Sequence, residues 1–174
     1  MTAASEPGPA GRVASLHLHP PAPGDPLTPV EFIDVETNQG IAGEPRYFNR
    51  ISRSTGKPSR RNVSLINREQ IAGHAAALGI ESIPPGAVRA NIETAGVDLV
   101  SLVGQHIQIG DAVLFLFEPR RPCGKMDAVC AGLRERMENG RQGVVARVAL
   151  SGRIRVGDSI SLAGLPAANL EPGL

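Results

Sequence analysis

The chain alternates short apolar runs with turn residues, of which 20 are glycine and 15 are proline. In segments such as 106–109 (His-Ile-Gln-Ile), apolar side chains occupy every second position, which is the period of a strand with one buried face. This pattern predicts eight strands, over residues 13–19, 30–35, 62–66, 87–92, 106–109, 112–117, 144–150 and 153–162. Many short strands separated by turns indicate a mainly β fold, either a barrel or a sandwich.

Two segments have helical spacing instead. Asn67 with Gln70 three residues later has the form of a capping box, apolar residues follow at helical intervals, and Gly79 predicts the end of the helix. A second helix is predicted from about Asp127 to Gly140, with Cys130 among the core residues of its apolar stripe.

Residues 107–113 and 154–160 resemble each other, because each has an alternating strand that meets a Gly-Asp pair and then resumes β structure. Glycine tolerates positive φ and aspartate can bind its own backbone. Both pairs therefore predict tight turns or bulges.

Length and charge limit the class of protein. A chain of 174 residues predicts a single domain, expected over 12–165, with a disordered lead-in at 1–11 and a tail at 166–174. A net charge of +1 gives no reason to expect nucleic-acid or membrane binding. No apolar run approaches the roughly 18 residues of a membrane span, and the N-terminus lacks the features of a secretory signal. These observations predict a cytoplasmic protein.

Positive charge is concentrated in one segment. Six of the 18 basic residues fall within 46–61, which is predicted to be a long, glycine-bearing loop. Such a segment is either a solvated loop or a binding surface for phosphate, carboxylate or a partner, since arginine matches the geometry of those anions.

The strongest chemical signal is the segment 118–125 (Glu-Pro-Arg-Arg-Pro-Cys-Gly-Lys), which follows the apolar run 112–117. Its prolines end the predicted strand and stiffen the loop. Arg120, Arg121 and Lys125 can place positive charge near Cys123, which favours the thiolate form that attacks sulfur or binds a metal. Cys123 is therefore the candidate reactive residue.

Other residue patterns carry less information. Two cysteines do not make a disulfide framework, and no hydrolase triad, Walker loop or dinucleotide fingerprint is present. His17 and His19 share a strand face, but two histidines alone do not make a zinc site. Structural or surface roles are expected for all four histidines.

Five segments, in order, resemble the MOSC domain, the module named for the C-terminal domain of molybdenum cofactor sulfurase. They are 40–44, a glycine-acid loop; 62–69, a strand leading to a helix; 85–99, an Arg-x-Asn segment; 109–125, a strand ending in Pro-Cys; and 143–158, the closing strands. The resemblance spans about residues 12–162. In the first segment Glu44 stands where the family usually has aspartate, and the histidine common after that loop is not evident.

The resemblance implies a closed Greek-key β-barrel of the MOSC and pyruvate kinase barrel-like type, with short helices and Cys123 as its functional centre. In one group of relatives the cysteine binds molybdenum of the molybdenum cofactor (molybdopterin), and the protein reduces N-hydroxylated small-molecule substrates with an external electron-transfer protein. In another group the cysteine carries persulfide sulfur received from a pyridoxal-phosphate (PLP) dependent cysteine desulfurase, so PLP belongs to the partner. A non-catalytic module that binds an anion or a partner is a third possibility.

The resemblance also implies a set of cofactor-binding residues. Arg89 and Asn91 are predicted to lie on one face of a strand, where the arginine can bind a phosphate and the asparagine a pterin edge. The set further includes cationic residues of the cysteine segment and of the basic loop, namely Arg120, Arg121, Lys125 and Arg46.

Overall fold

The structure is a computed structural model that describes residues 11–164, and this range forms eleven strands, three short α-helices and one 3-10 turn. The strands are β1 (Gly11–Leu18), β2 (Thr28–Val30), β3 (Phe32–Glu36), β4 (Gly40–Ile41), β5 (Val63–Asn67), β6 (Ile92–Ala95), β7 (His106–Ile109), β8 (Ala112–Pro119), β9 (Val144–Leu150), β10 (Gly152–Arg155) and β11 (Ser159–Leu162). The helices are α1 (Arg68–Ala77), α2 (Lys125–Val129) and α3 (Leu133–Arg136), and the 3-10 turn is Val100–Leu102. Apart from Gly11, the predicted lead-in and tail lie outside the described residues.

Seven strands close into a barrel in the order β11-β7-β8-β9-β5-β6-β1, and Gly11 of β1 lies opposite Ile160 of β11 to complete the circle. All neighbours are antiparallel except β5 and β6, where Leu65 lies opposite Ile92 in a parallel pair. A parallel pair needs a long crossover, which residues 68–91 and α1 provide. The prediction of a mainly β, closed barrel with a few short helices is confirmed.

Two apolar cores stabilise this arrangement. Leu65 belongs to the cluster that fills the barrel, whereas the next residue, Ile66, belongs to a second cluster formed with the three helices. Successive strand residues point to opposite faces, so both faces of β5 are covered. Burying each such side chain stabilises the fold by about 1.5–3 kcal/mol.

A second sheet of three strands, in the order β10-β3-β4, packs beside the barrel. Within this sheet, β10 and β3 are linked by a bidentate ion pair in which Arg153 donates to Asp34 over 2.8 and 2.9 Å. Those hydrogen bonds lower the pKa of Asp34. The single strand predicted over 153–162 is in fact two strands, β10 in this sheet and β11 in the barrel.

Both Gly-Asp pairs form the predicted turns. Gly110 and Gly157 have φ of 55° and 90°, values that favour glycine. The Asp158 carboxylate accepts a hydrogen bond of 2.7 Å from the backbone N–H of Arg155, which closes the turn between β10 and β11.

The second predicted helix was wrong as a continuous element. Cys130 is extended (φ −158°, ψ 133°) and Gly132 has φ 88°, so the segment breaks into α2 and α3. Cys130 still packs against the second core, as expected from the apolar stripe. Cys130 ends α2 in an extended conformation, and Gly132, at a positive φ that favours glycine, redirects the chain into α3.

The predicted strand 87–92 was also wrong, since β6 begins only at Ile92. The preceding residues form turns in which Ala87 donates to the Pro84 carbonyl and Arg89 donates to the Gly86 carbonyl. Arg89 itself has φ 62°, which is incompatible with a strand.

Helix α1 begins behind Asn67, as predicted, but the expected capping box does not form. Asn67 makes no side-chain capping bond, and the Gln70 amide instead binds the carbonyl of Gly140 and the N–H of Gly143. Gly79 follows the helix at φ 70°. Across residues 11–164, none of the helices has the length and apolar character needed to cross a membrane.

Candidate functional site: an arginine-lined cavity at Cys123

A cavity of about 630 Å³ lies next to the end of β1, the start of β5 and the segment after β8. Five arginines line it, namely Arg50, Arg53, Arg61, Arg120 and Arg121. Among the described lining residues, Glu44 is the one carboxylate. A cavity with this balance of charge favours an anionic ligand, and arginine favours phosphate or carboxylate groups.

The basic loop forms one wall because its ends are fixed. A β-bridge joins Ile51 to Pro58, and Ser52 donates a backbone hydrogen bond of 2.8 Å to Lys57, so the loop folds back on itself. Asn62 anchors the return, since its amide donates to Ser59 over 2.7 Å and accepts from the Val148 N–H over 3.1 Å. Three arginines of the loop, Arg50, Arg53 and Arg61, line the cavity as a result.

Asn91 forms the buried floor between two cavity walls. Its side-chain oxygen accepts hydrogen bonds of 3.1 Å from both the N–H and the hydroxyl of Ser64. Its side-chain nitrogen donates to the His17 carbonyl over 3.1 Å and to Glu44 Oε1 over 2.6 Å. Asn91 is 3% exposed, and its buried hydrogen bonds connect β1 and β5 to the glycine-acid loop.

Glu44 is buried beside Asn91, with 2% of its surface exposed. Oε1 also accepts hydrogen bonds of 2.9 Å from the backbone N–H and from Nδ1 of His19. Within the described part of the chain, Oε2 has no hydrogen-bond partner although it is buried. A buried acceptor without a donor is costly, so this oxygen is a natural contact for a ligand N–H group.

Arg120 ties the cysteine segment to the turn that precedes β6. Its guanidinium donates to the carbonyls of Val88 and Arg89 over 3.1 and 3.0 Å. Burial lowers the pKa of Arg120 to about 10, while the neighbouring Cys123 and Tyr47 act to raise it. Arg120 therefore remains a cation at neutral pH and provides positive charge near the sulfur.

Cys123 lies at the rim of the cavity, where its side chain is exposed. Pro119 is the last residue of β8, and the Cys123 carbonyl accepts from the Met126 N–H as α2 begins. The cysteine is therefore held between the end of a core strand and the first turn of a helix. Both cysteines are free thiols, and Cys130 is partly buried away from this cavity.

Four of the seven predicted site residues line the cavity, namely Cys123, Asn91, Arg120 and Arg121. The other three do not. Arg89 is turned by its positive φ and donates to the Asp25 carbonyl over 2.8 Å. Arg46 donates to the Pro20 carbonyl over 3.0 Å, and Lys125 is exposed at the start of α2.

The structure adds residues that the sequence did not single out for function. His19 and Tyr47 line the cavity and contact each other, with ring centroids 4.7 Å apart. The sequence marks Glu44 only as part of the glycine-acid loop and predicts a structural or surface role for His19. Their proximity depends on the fold, because 25 residues separate His19 from Glu44.

Protein donors for a bare metal ion are sparse here. Among residues 11–164, no group of three or more histidine, cysteine, aspartate or glutamate side chains is placed to share a metal. Cys123 offers one soft donor, which fits a metal whose other ligands belong to an organic cofactor.

The described residues thus form a closed mixed β-barrel with an exposed cysteine at an arginine-lined cavity. The family model described as the MOSC domain matches residues 38–161, and the chain belongs to the MOSC domain family.

Solved structures share the fold at low sequence identity. The YuaD protein from Bacillus subtilis has a TM-score of 0.72 and 20% identity, covering 86% of this chain and 93% of that chain. YiiM from Geobacillus stearothermophilus has a TM-score of 0.69 and 19% identity, covering 92% and 78%. YiiM from Escherichia coli has a TM-score of 0.62 and 18% identity, covering 89% and 71%. No curated protein matches the chain.

Proposed function

We propose that the chain binds the molybdenum cofactor in the Cys123 cavity and reduces N-hydroxylated compounds with electrons from an external donor. The observation that carries the proposal is one exposed thiol at a cavity lined by five arginines. A thiolate is a soft ligand for a transition metal, and arginine is well matched to a phosphate group. Membership in the MOSC family supports the proposal, because the family is often associated with this cofactor.

The cavity residues fit both the pterin end and the phosphate end of the cofactor. The cofactor joins a pterin, which presents N–H donors, to a phosphate. The buried and unpartnered Glu44 Oε2 offers an acceptor for the first, and the guanidinium groups of the basic loop offer donors for the second. A volume of about 630 Å³ lies within the usual range for a bound small molecule.

Each residue then has a defined task. Cys123 would occupy one coordination position on the metal, and Arg50, Arg53 and Arg61 would hydrogen-bond phosphate oxygens. Arg120 would keep the cysteine segment in place through its two carbonyl contacts. The bound cofactor would supply two-electron transfer to the N–O bond of the substrate.

The proposal is tested by elemental and pterin analysis of protein isolated from a host that makes the cofactor. We expect stoichiometric molybdenum and pterin in the wild type, and loss of molybdenum in Cys123→Ser. Cys130→Ser is the matched control and should keep the metal, because Cys130 lies outside the cavity. Reduction of an amidoxime with a chemical electron donor should follow the molybdenum content. Wild-type protein free of molybdenum from such a host contradicts the proposal.

The exposure of Cys123 also favours a second candidate, a sulfur carrier. A thiol at the rim of a cavity can be reached by another protein, as transfer from a cysteine desulfurase requires. Incubation with a desulfurase and cysteine should then add one sulfur to Cys123, detected by mass spectrometry of its peptide. Labelling of Cys130 alone, or of neither cysteine, argues against the carrier. If both candidates fail while anions still bind, the chain is a non-catalytic anion-binding module.

A further inference from the structure

His19 and Glu44 form a hydrogen-bonded pair in the cavity wall, and binding of an anion by the arginines does not account for this pair. The Glu44 carboxylate accepts two hydrogen bonds from the same residue, one from the backbone N–H and one from Nδ1 of His19, both 2.9 Å long. The side chains are 1% and 11% exposed for glutamate and histidine respectively. Two bonds of this kind fix both the position and the rotation of the imidazole.

The same contacts determine which ring nitrogen of His19 holds a fixed proton and which one is left to react. An ionised carboxylate oxygen accepts and does not donate, so the proton in the contact belongs to Nδ1 of His19. Nε2 is then the nitrogen that exchanges a proton. It has no hydrogen-bond partner among the described residues. Nδ1 also lies 3.1 Å from the side-chain nitrogen of Asn91, but the two protons of that amide are used by the His17 carbonyl and by Glu44 Oε1, so Nδ1 keeps its own proton.

Neighbouring charged and titratable groups complete the environment of His19. Tyr47 packs against the ring at 4.7 Å between centroids, and the guanidinium groups of Arg46 and Arg50 lie 5.1 and 5.8 Å from the Tyr47 ring. His17 precedes His19 by two residues and is buried. Among the described residues that line the cavity, Glu44 is the one carboxylate, and the Cys123 thiol also becomes an anion when it loses its proton.

We infer that His19 transfers a proton from Nε2 to the leaving hydroxyl of the substrate, with Glu44 as the positioning residue that keeps the other proton on Nδ1. This role rests on the proposed reductase function. Reduction breaks the N–O bond, and the nitrogen receives two electrons that originate from the external electron-transfer protein. The departing oxygen takes the proton of His19 and leaves as water, and a second proton from solvent completes the amine. Solvent then reprotonates Nε2.

One test does not need the cofactor. Nitrogen-15 NMR of the cofactor-free wild-type protein, with the His19 ring signals assigned by through-bond correlation to the His19 backbone, should show the neutral ring as the Nδ1–H tautomer. Glu44→Leu removes the acceptor and should abolish this preference. A neutral His19 protonated on Nε2 in the wild type overturns the inference whether or not the variants fold.

A second test uses the loaded enzyme. His19→Gln should keep its molybdenum content and lose about 100-fold in kcat, the usual contribution of a positioned acid. The pH profile of its kcat should also differ from that of the wild type, because the variant has no imidazole to donate the proton. His106→Gln is the matched control, because His106 packs on Phe115 outside the cavity, and it should behave as the wild type.

The outcomes separate the two claims. Loaded and active wild-type protein whose His19→Gln variant keeps the full rate and pH profile overturns the proton-transfer role alone. Wild-type protein with neither molybdenum nor activity overturns the proposed function, and the catalytic role of His19 with it.

Discussion

Asn91 donates a hydrogen bond of 2.6 Å from its side-chain amide to Oε1 of Glu44, and this bond joins the segment before β6 to the loop after β4. Both residues are buried. The amide of Asn91 uses its oxygen to accept from Ser64 at the same time, so one side chain connects three segments of the cavity wall. The shape of the site therefore depends on an amide with a donor on one side and an acceptor on the other.

Replacing that amide by an isosteric carboxylate tests this dependence. In Asn91→Asp, the oxygen that accepts from Ser64 is preserved, but the donor facing Glu44 and the His17 carbonyl becomes a second acceptor. We expect a loss of about 3 kcal/mol or more in the free energy of unfolding, measured in urea at neutral pH. Gln108→Glu makes the same chemical change on an exposed side chain and should stay within about 0.5 kcal/mol. Equal effects of the two substitutions would contradict the structural role of Asn91.

Arg120 is expected to be irreplaceable by lysine, because two different nitrogens of its guanidinium bind the carbonyls of Val88 and Arg89. A lysine ammonium on a flexible stem does not reproduce this planar arrangement. Arg120→Lys should lower the free energy of unfolding by about 1–3 kcal/mol, measured by denaturation. The adjacent Arg121→Lys, at an exposed side chain, serves as the control and should have little effect. If Arg120→Lys is as stable as the wild type, the carbonyl contacts do not support the cysteine segment.

The strands were predictable where local pattern and environment agree. The segment 106–109 alternates and has one buried face, and both Gly-Asp pairs form turns because glycine can adopt the required φ. Prediction failed where backbone geometry overrides side-chain pattern. Arg89 adopts φ 62° inside an apolar run, and Cys130 is extended inside an apparent helical stripe.

The site was predictable only in part, for a related reason. Cys123, Arg120 and Arg121 stand together in the sequence, so their shared location follows from local chain geometry. His19 and Glu44 meet only because the end of β1 in the barrel lies beside the glycine-acid loop, which extends from β4 of the three-stranded sheet. A lone histidine and a lone glutamate carry no local sign of such pairing.

Stability should fall on the acidic side of neutrality. Burial lowers the pKa of His74 and His17 below the ordinary value of 6.5, so the unfolded chain binds more protons than the folded one as pH decreases from that value. The stabilising contribution is fully present above about pH 6.5 and is lost as pH falls through the folded pKa of each histidine. Each group contributes a slope of at most about 1.4 kcal/mol per pH unit.

Urea titrations between about pH 8 and pH 5 measure this slope. His74→Gln removes one titrating group while leaving a donor able to bind the Arg141 carbonyl, so its slope should be smaller than that of the wild type. Superimposable pH curves for the two proteins would show that His74 is not protonated more readily on unfolding.

Finally, a pair of glycine substitutions separates backbone strain from steric collision. Gly143 and Gly104 have φ of 72° and 91°, so alanine at either position costs roughly 1–2 kcal/mol in backbone conformation. A Cβ at Gly143 would also collide with the Leu65 carbonyl oxygen, whereas a Cβ at Gly104 meets open space. Gly143→Ala should therefore lose about 4 kcal/mol or more, and Gly104→Ala only the conformational part.

The substitution at Gly143 should also displace Arg120 in the cavity wall, because the Gly143 carbonyl accepts a hydrogen bond of 2.9 Å from the backbone N–H of Arg120. Where Gly143→Ala remains folded, its affinity for inorganic phosphate, measured by calorimetry, should fall below that of Gly104→Ala. Equal stability and equal phosphate binding in the two variants would mean that β9 can move away from β5 without disturbing the segment that holds Cys123.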